Sequence, residues 1–220
     1  MDLDNNMTII RIKEVTLLAI SSILIPETIE ALKESSKSIR FGDVKLISHE
    51  KPNNLPNWIS FGQCPKIENI DQYNHYVFKD LTDHVSTSHC LLIQHHAYII
   101  NYHLWNDFWL DYDYIGAPWP IVPNTYIADN GEVVRVGNGG FSLRSKKILD
   151  APRKLGLPLK QEQGWYNEDG NLCCYHRSAL LNYGIRYAPL EVAVKFSYEN
   201  TVEENQNTTT FGFHRNYPPR

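Results

Sequence analysis

The stretch VTLLAISSILIPETIEALKESSKSIRFGDVKLIS, residues 15–48 of 220, contains the clearest secondary-structure pattern in this chain. Residues 15–21 are a continuous apolar run, which is typical of a strand that is buried on both faces. Pro26 suits the first turn of a helix, and residues 28–38 place apolar side chains on one side of that helix. Residues 43–48 form a second strand. A strand, a helix and a strand within about thirty-five residues predict a βαβ unit with a right-handed crossover.

The rest of the chain continues this alternation. The predicted elements are a helix over 71–85, a strand over 90–100, a short strand leading into a helix over 145–151, a helix over 168–182, a strand over 186–188 and a closing segment over 191–197. Strands separated by helices predict an α/β sandwich of the Rossmann type around a mostly parallel sheet. In such sheets, ligands bind beyond the carboxyl ends of the strands.

Length and composition narrow the function classes. The chain fits a single domain over residues 1–220, with an ordered core over about residues 10–215. A net charge of -4 and the lack of a clustered Lys/Arg face argue against nucleic-acid binding. The four cysteines form no Cys-x-x-Cys pair, so we expect free thiols in a reducing cytoplasm. The apolar run over 15–25 is too short for a transmembrane segment, and a basic signal-peptide region is missing.

Polar or glycine-rich residues follow the predicted strands at four places. They are Ser21-Ser22, Gln94-His95-His96, residues 137–140 and Glu168-Asp169. We expect these residues to converge on one cleft, because the carboxyl ends of parallel strands meet at one edge of a sheet. Alternation along a strand predicts that His95 and His96 point to opposite faces, so that one of them enters the site easily.

The glycine-rich residues and the acidic pair have chemistry that suits a sugar site. Glycine lets the backbone pass close to a bound sugar, and the amide of Asn138 can both donate to and accept from hydroxyl groups. Arg144 can pair with a phosphate in bidentate fashion. A carboxylate of Glu168 or Asp169 within hydrogen-bond reach would activate an acceptor hydroxyl. Acidic residues are also favoured at the start of a helix, and the two interpretations are compatible.

Five segments carry a resemblance to a known family. They are CLLIQHHAYIIN (90–101), DYDYIGAPW (111–119), VGNGGFSLRSKKIL (136–149), RYAPLEVAVKFSYE (186–199) and FGFH (211–214). In this order they resemble a family catalogued as a domain of unknown function and regarded as glycosyltransferase-like, with a GT-A type fold. The VGNGGFSLRS and FGFH pieces are the most specific. The resemblance implies a glycosyltransferase that uses a nucleotide-diphosphate sugar and a glycan or other hydroxyl acceptor, in surface glycan or polysaccharide synthesis.

The resemblance also implies a divalent cation, Mn²⁺ or Mg²⁺, held by His96 and His214. The family pattern reads Gln-x-Asp-Gly-Phe where this chain has Gln94-His95-His96-Ala97-Tyr98. That aspartate resembles the metal-binding Asp-x-Asp element of GT-A enzymes, and here it is His96. A neutral histidine suits a hard, diphosphate-bound cation less well than a carboxylate does.

The resemblance and the residue chemistry together give each candidate a role. Asp169, ahead of Glu168, is predicted to be the base of an inverting displacement. The predicted donor-binding residues are Ala19, Ser21, Asn74, Lys79, Gln94 and Arg144. The predicted sugar or acceptor contacts are Trp119, Asn138, Gly139 and Gly140. Lys79 and Arg144 are the side chains that we expect to stabilise the departing diphosphate in place of a metal ion.

Two other functions stay open at this point. The loss of the family aspartate at His96 is compatible with a degenerate protein that binds a sugar or nucleotide without catalysis. A glycoside hydrolase would need two carboxylates about 5–10 Å apart. The sequence offers Glu168 or Asp169 together with Asp111 or Asp113 for that pair.

Overall fold

The computed structural model describes residues 9–161 and 167–215, so the predicted domain over 1–220 extends beyond the described residues. The strands are β1 (Ile10–Ile20), β2 (Ile39–Ser48), β3 (Ser60–Gln63), β4 (His89–Ile93), β5 (Ala97–Ile99), β6 (Tyr114–Ile115), β7 (Phe141–Ser145), β8 (Ser197–Tyr198) and β9 (Gly212–His214). Six of them form one sheet in the order β3-β2-β1-β4-β7-β6. The first four in this order run parallel, whereas β7 is antiparallel to β4 and to β6. The predicted α/β fold with a mostly parallel sheet is therefore confirmed.

Helices connect these strands. They are α1 (Ile25–Ser35), α2 (Ile70–Lys79), α3 (Lys146–Lys154), α4 (Glu168–Gly170), α5 (Arg177–Asn182) and α6 (Leu190–Phe196), with short 3₁₀ helices at Leu81–His84, Tyr102–Leu104, Asp107–Asp111 and Glu203–Asn205. In the part of the chain that the structure describes, none of them has the length and apolar character needed to cross a membrane.

The predicted βαβ unit is formed by β1, α1 and β2. Alternate side chains of β1 are buried on opposite faces of the sheet, as the continuous apolar run indicated. Leu17 and Ala19 pack in the hydrophobic cluster that contains α1. Leu18 and Ile20 pack in the cluster that contains α2 and Leu149 of α3. The sheet is therefore covered by helices on both faces, which leaves its strand ends as the place for a cleft.

Two predicted helices end earlier than their apolar spacing indicated. The helix predicted over 28–38 ends at Ser35, where the amide and hydroxyl of the C-cap residue Ser36 both donate to the carbonyl of Leu32, at 3.1 and 2.6 Å. These bonds satisfy a carbonyl that would otherwise lack a partner at the helix end. The helix predicted over 71–85 is α2 followed by a separate 3₁₀ helix.

The chain also departs from prediction over residues 90–100, which do not form a single strand. Strand β4 ends at Ile93, and β5 begins at Ala97 in a second, three-stranded sheet of order β5-β9-β8. The amide of Gln94 donates to the carbonyl of Gly140 at 3.0 Å, and the amide of Ala97 donates to the carbonyl of Gln94 at 3.0 Å. These two hydrogen bonds close a turn between the sheets.

The turn between β4 and β5 brings two histidines together. The ring centroids of His95 and His96 lie 4.1 Å apart, so the prediction that they point to opposite faces is wrong. Side chains alternate only along an extended backbone, and the backbone turns here. Strand β5 pairs antiparallel with β9, with Ala97 opposite His214. The FGFH segment is therefore beside this turn.

The carboxyl-terminal part holds further departures. The helix predicted over 168–182 is divided into α4, a π-helical turn (Asn171–Tyr175) and α5. The amide of His176 donates to the carbonyl of Asn171, five residues earlier, which widens this turn. Instead of the strand predicted over 186–188, the described residues show one isolated bridge from Tyr187 to Tyr114. The predicted closing segment is helix α6 followed by β8.

Candidate functional site

A cleft of about 830 Å³ opens at the carboxyl end of β4. Its walls include Gln94 after β4, the glycine loop (residues 137–140) before β7, helix α4, and residues that follow β8 and β9. The glycine loop reaches this edge because β7 is antiparallel to β4, with Phe141 opposite Ile93. The cleft therefore lies where open α/β sheets bind their ligands.

The glycine loop fits closely against its neighbours. Asn138 has a φ of 60°, and its Oδ1 accepts a hydrogen bond from the amide of Gly140 at 3.1 Å. A Cβ on Gly139 would overlap the carboxylate of Glu168, and a Cβ on Gly140 would overlap the ring of His214. Glycine is required at both positions because the loop is in direct contact with two side chains of the cleft wall.

The change Gly140→Ala should lower the free energy of unfolding by about 1–3 kcal/mol, because its Cβ would displace the ring of His214. Urea denaturation measures this loss. In a His214→Ala background the overlap is absent, so the same change should lose less than half as much. Equal losses in the two backgrounds would contradict the proposed contact.

Glu168 lies buried behind the glycine loop, in an ion pair with Arg144. Nη2 of Arg144 donates to Oε1 of Glu168 at 3.0 Å, and Nε donates to Oγ of Ser142 at 2.9 Å. Burial raises the pKa of Glu168 to about 7, although Arg144 opposes this shift. Arg144 is fully buried and does not line the cleft, so its predicted pairing with a phosphate has no support in this arrangement. Its guanidinium stabilises the wall of the cleft instead.

Asp169 is half-buried, and its carboxylate is fixed by the backbone. Oδ2 accepts a hydrogen bond from the amide of Gly139 at 2.7 Å, and Oδ1 accepts one from the amide of Gly170 at 2.7 Å. Burial raises the pKa of this carboxyl, although the Gly139 amide and Arg144 oppose the shift. A carboxylate with a raised pKa is a stronger base, and it lines the cleft.

Glu199 brings a third carboxylate into the cleft. Its Oε1 lies 2.9 Å from Nδ1 of His214, and its Oε2 accepts a hydrogen bond from the side-chain amide of Asn138. A carboxylate oxygen accepts hydrogen bonds, so Nδ1 of His214 is the donor in this contact. Nε2 of His214 lies 3.1 Å from Oε1 of Gln94. The ring of His214 is therefore held from both sides.

The outer wall of the cleft carries a cluster of rings and one cation. The ring of His96 stacks on that of His214, with centroids 4.7 Å apart. Burial lowers the pKa of His96 to about 4, with His214 and His95 as further causes, so this side chain is neutral at pH 7. Nε of Arg215 donates to Nε2 of His96 at 3.3 Å. The exposed Arg215 lines the cleft, whereas His96 lies behind it.

The predicted divalent ion has no donor set in this arrangement. Within residues 9–161 and 167–215, no three His, Cys, Asp or Glu side chains are placed to hold one metal ion. Hard cations prefer carboxylate oxygens. Here Glu168 binds Arg144, Asp169 binds two amides, and Glu199 binds His214. His96 and His214 therefore do not fit a resident Mn²⁺ or Mg²⁺ as the structure places them.

Several predicted donor-binding residues lie outside the cleft. Nζ of Lys79 donates to the carbonyl of Leu157 and does not line the cleft, so its predicted contact with a phosphate has no support in this arrangement. Ala19 is fully buried within the sheet, between β2 and β4. Oγ of Ser21 accepts a hydrogen bond from the amide of Leu24 at 3.0 Å and so fixes the entry into α1. Neither Ala19 nor Ser21 lines the cleft, which corrects their predicted contact with the nucleotide.

Other predicted side chains do line the cleft, but they bind the protein itself. Asn74 donates to Oδ1 of Asn167 at 3.2 Å and accepts from the amide of Glu168 at 3.2 Å. Trp119 is buried and stacks on Tyr126, with ring centroids 4.3 Å apart. Because Tyr126 covers one face of the Trp119 ring, that face is not available for the predicted contact with a sugar. These side chains shape the walls of the cleft.

The carboxylate pair considered for a glycoside hydrolase is not assembled. Asp111 is exposed, and Asp113 is buried and accepts a hydrogen bond from the amide of Arg186 at 2.7 Å. Neither residue lines the cleft that contains Glu168 and Asp169. The two acids of each proposed pair therefore do not face one common space.

Sequence reasoning missed Glu199 and Arg215. Glu199 is the last residue of RYAPLEVAVKFSYE, and Arg215 directly follows FGFH. Both adjoin the segments that carry the family resemblance, and that proximity was the available signal. The pairing of β8 with β9 places these two chain segments next to each other at the cleft.

Comparison with known structures defines the class of fold. Two structures of LgtC are similar. An active-site mutant of LgtC has a TM-score of 0.56 and 12% identity over 92% of this chain and 88% of that chain. Galactosyltransferase LgtC in complex with donor and acceptor sugar analogues has a TM-score of 0.51 and 11% identity over 92% of this chain and 87% of that chain. The fold is thus that of GT-A glycosyltransferases. The mannosyltransferase PcManGT from Pyrobaculum calidifontis, in complex with GDP-Man and Mn²⁺, has a TM-score of 0.48 and 10% identity over 81% of this chain. This chain spans 55% of that one.

The chain belongs to the family described as "Protein of unknown function (DUF5672)", which matches residues 57–214. This match confirms the expected membership of a domain family of unknown function. No protein with curated function is significantly similar in sequence.

Proposed function

We propose that this chain is a glycosyltransferase that transfers a sugar from a nucleotide-diphosphate sugar to an acceptor hydroxyl, in the synthesis of surface glycans or polysaccharides. The observation that carries the proposal is the carboxylate of Asp169, held at the wall of a cleft by the backbone of the glycine loop. The GT-A fold supports the reaction class. The cleft volume lies within the range of about 300–1,000 Å³ that is usual for ligand pockets.

In the proposed reaction, Asp169 takes the proton of the acceptor hydroxyl. The acceptor oxygen forms a bond to the anomeric carbon, and the bond from that carbon to the diphosphate oxygen breaks. A single displacement of this kind inverts the anomeric configuration. Each oxygen of Asp169 accepts one backbone hydrogen bond and keeps a further lone pair, so the carboxylate can be oriented and still receive the proton.

The glycine loop has a separate part in this proposal. Because Gly139 and Gly140 have no side chains, a sugar can approach their backbone directly. Asn138 also lines the cleft, but its side-chain amide already binds Glu199 and the amide of Gly140. We assign Asn138 to holding the shape of the loop against the cleft.

A thermal-shift screen tests the donor class. UDP-, GDP-, CMP- and dTDP-sugars are added separately, with manganese and with EDTA, and free sugars serve as the control. A donor at a hundred times its Kd stabilises the fold by about 2.7 kcal/mol, so we expect the melting temperature to rise by about 5–10 °C with one nucleotide. A flat response to all donors would contradict the proposal.

The screen is followed by an assay for transfer. The nucleotide sugar that stabilises the protein is incubated with hydroxyl acceptors, and NMR of the product gives the anomeric configuration. Release of nucleoside diphosphate together with an inverted glycoside supports the proposed mechanism. Binding without transfer to any acceptor would favour the non-catalytic alternative, which the replacement of the family aspartate by His96 motivates.

A further inference from the structure

The cleft has an unusual balance of charges. Three carboxylates line it, on Glu168, Asp169 and Glu199. Among the described residues that line it, Arg215 is the one Lys or Arg side chain. A nucleoside diphosphate brings two or more negative charges and requires nearby positive charge. That requirement is concentrated on Arg215, because Arg144 is buried in its ion pair and Lys79 binds a backbone carbonyl elsewhere.

The carboxylates of the cleft are already bound by protein donors. Arg144 donates to Glu168, two backbone amides donate to Asp169, and Asn138 and His214 bind Glu199. A metal ion would have to compete with these donors for the carboxylate oxygens, and among the described residues no three ligating side chains are placed around one point. The arrangement therefore opposes a metal bridge to the diphosphate.

Arg215 is anchored at its backbone and exposed at its side chain. Its φ is 60°, and its amide donates to the carbonyl of His96 at 3.0 Å. Nε donates to the ring of His96 at 3.3 Å. An arginine has five N–H donors in a planar fork, and the two terminal nitrogens are the ones that match phosphate oxygens. Within residues 9–161 and 167–215, the side-chain hydrogen bond of Arg215 runs from Nε, which leaves these two terminal nitrogens available for a ligand.

We propose that Arg215 binds the diphosphate of the donor directly and that donor binding requires no divalent ion. This inference rests on the proposed function and adds to it the group that stabilises the leaving diphosphate. The imidazole of His96 lies beside the guanidinium where the family pattern has an aspartate, so this position contributes no negative charge that would repel the phosphates. The binding site thus consists of Arg215 on the outer wall and the side chains of Gln94 and His214 beside it.

Isothermal titration with UDP, GDP and dTDP tests this inference, each in EDTA and in manganese. At least one nucleotide should bind in both conditions, and its Kd in EDTA should agree with its Kd in manganese within about threefold. Arg215→Gln should weaken its binding about tenfold to a hundredfold, the usual range for charge-assisted hydrogen bonds. The affinity of Arg215→Lys should lie between those of the wild type and Arg215→Gln, because lysine keeps the positive charge but lacks the planar pair of terminal N–H donors. Arg11→Gln, an exposed change of the same charge outside the cleft, is the matched control.

The outcomes separate this inference from the proposed function. Binding that appears only with manganese, or binding that Arg215→Gln leaves unchanged, would overturn the inference and leave the glycosyltransferase proposal standing. Failure of all three nucleotides in both conditions would overturn the proposed function and the inference with it. Circular dichroism of Arg215→Gln confirms that any loss of binding comes from the side chain and not from the fold.

Discussion

Replacing Asp169 by asparagine is expected to lower the rate of sugar transfer about a hundredfold to ten-thousandfold, the range for loss of a general base. Asparagine has the shape of aspartate but cannot take the proton of an acceptor hydroxyl. The donor should still bind, because the change leaves Arg215 and the glycine loop in place. A transfer assay gives the rate, and a thermal shift with the same donor serves as the control for binding.

One structural effect of this change has to be measured separately. The two oxygens of Asp169 accept from two different backbone amides, so the NH₂ of asparagine must face either Gly139 or Gly170. Two facing donors cost about 1–3 kcal/mol of stability. Urea denaturation quantifies this loss, and rates are compared where both proteins are folded. Full transfer activity in folded Asp169→Asn would exclude Asp169 as the base.

The pH profile gives a second readout of the same carboxylate. Burial raises the pKa of Asp169, and only its deprotonated form can accept a proton. In the wild type, kcat/KM should therefore decrease as the pH falls through a pKa above the ordinary range for aspartate. The residual activity of Asp169→Asn should lack this decrease. If the profile of Asp169→Asn shows the same decrease at low pH as the wild type, the decrease comes from another titrating group.

The fold was predictable where local patterns determine it. The apolar run of β1 and the helical spacing of α1 are encoded within a few residues, and both faces of β1 are buried as that run indicates. The sequence could not show that residues 90–100 divide between two sheets. That division depends on the pairing of β5 with β9, more than a hundred residues later, and on the hydrogen bond from Gln94 to Gly140.

The sequence predicted where the candidate site lies better than it predicted which partners each of its side chains contacts. The glycine loop, Gln94 and the acidic pair do line one cleft. Sequence cannot distinguish an exposed arginine from a buried one, because burial depends on which chain segments pack around it. Arg144 is enclosed by the glycine loop and α4, whereas Arg215, which no pattern singled out, reaches the cleft. Sequence alone therefore could not show which of the two arginines faces the cleft.

Replacing Arg144 by methionine is expected to lower the free energy of unfolding strongly. Arg144 and Glu168 are both buried, and methionine removes the charge while keeping an unbranched side chain. Removing one partner of a buried ion pair leaves the other charge without compensation, which costs about 3–5 kcal/mol. We expect a decrease of this size in the free energy of unfolding at pH 8.5, measured by urea denaturation.

The pH dependence of this loss identifies its cause. Burial already raises the pKa of Glu168 to about 7, and loss of Arg144 would raise it further. An acid whose pKa is higher in the folded state than in the unfolded state binds its proton on folding, so its destabilising effect grows as the pH rises. The difference between wild type and Arg144→Met should therefore be small at pH 5.5, where folded Glu168 is protonated, and large at pH 8.5.

A double variant separates charge from packing. In Arg144→Met/Glu168→Gln no buried carboxylate remains, so the stability at pH 8.5 should recover by at least about half of the loss, and the pH dependence should disappear. A loss that is equal at both pH values and persists in the double variant would mean that packing around Arg144 matters more than its charge. Because Glu168 directly precedes Asp169 in α4, recovery by the double variant would also show that the loss in Arg144→Met comes from an uncompensated carboxylate next to the proposed base.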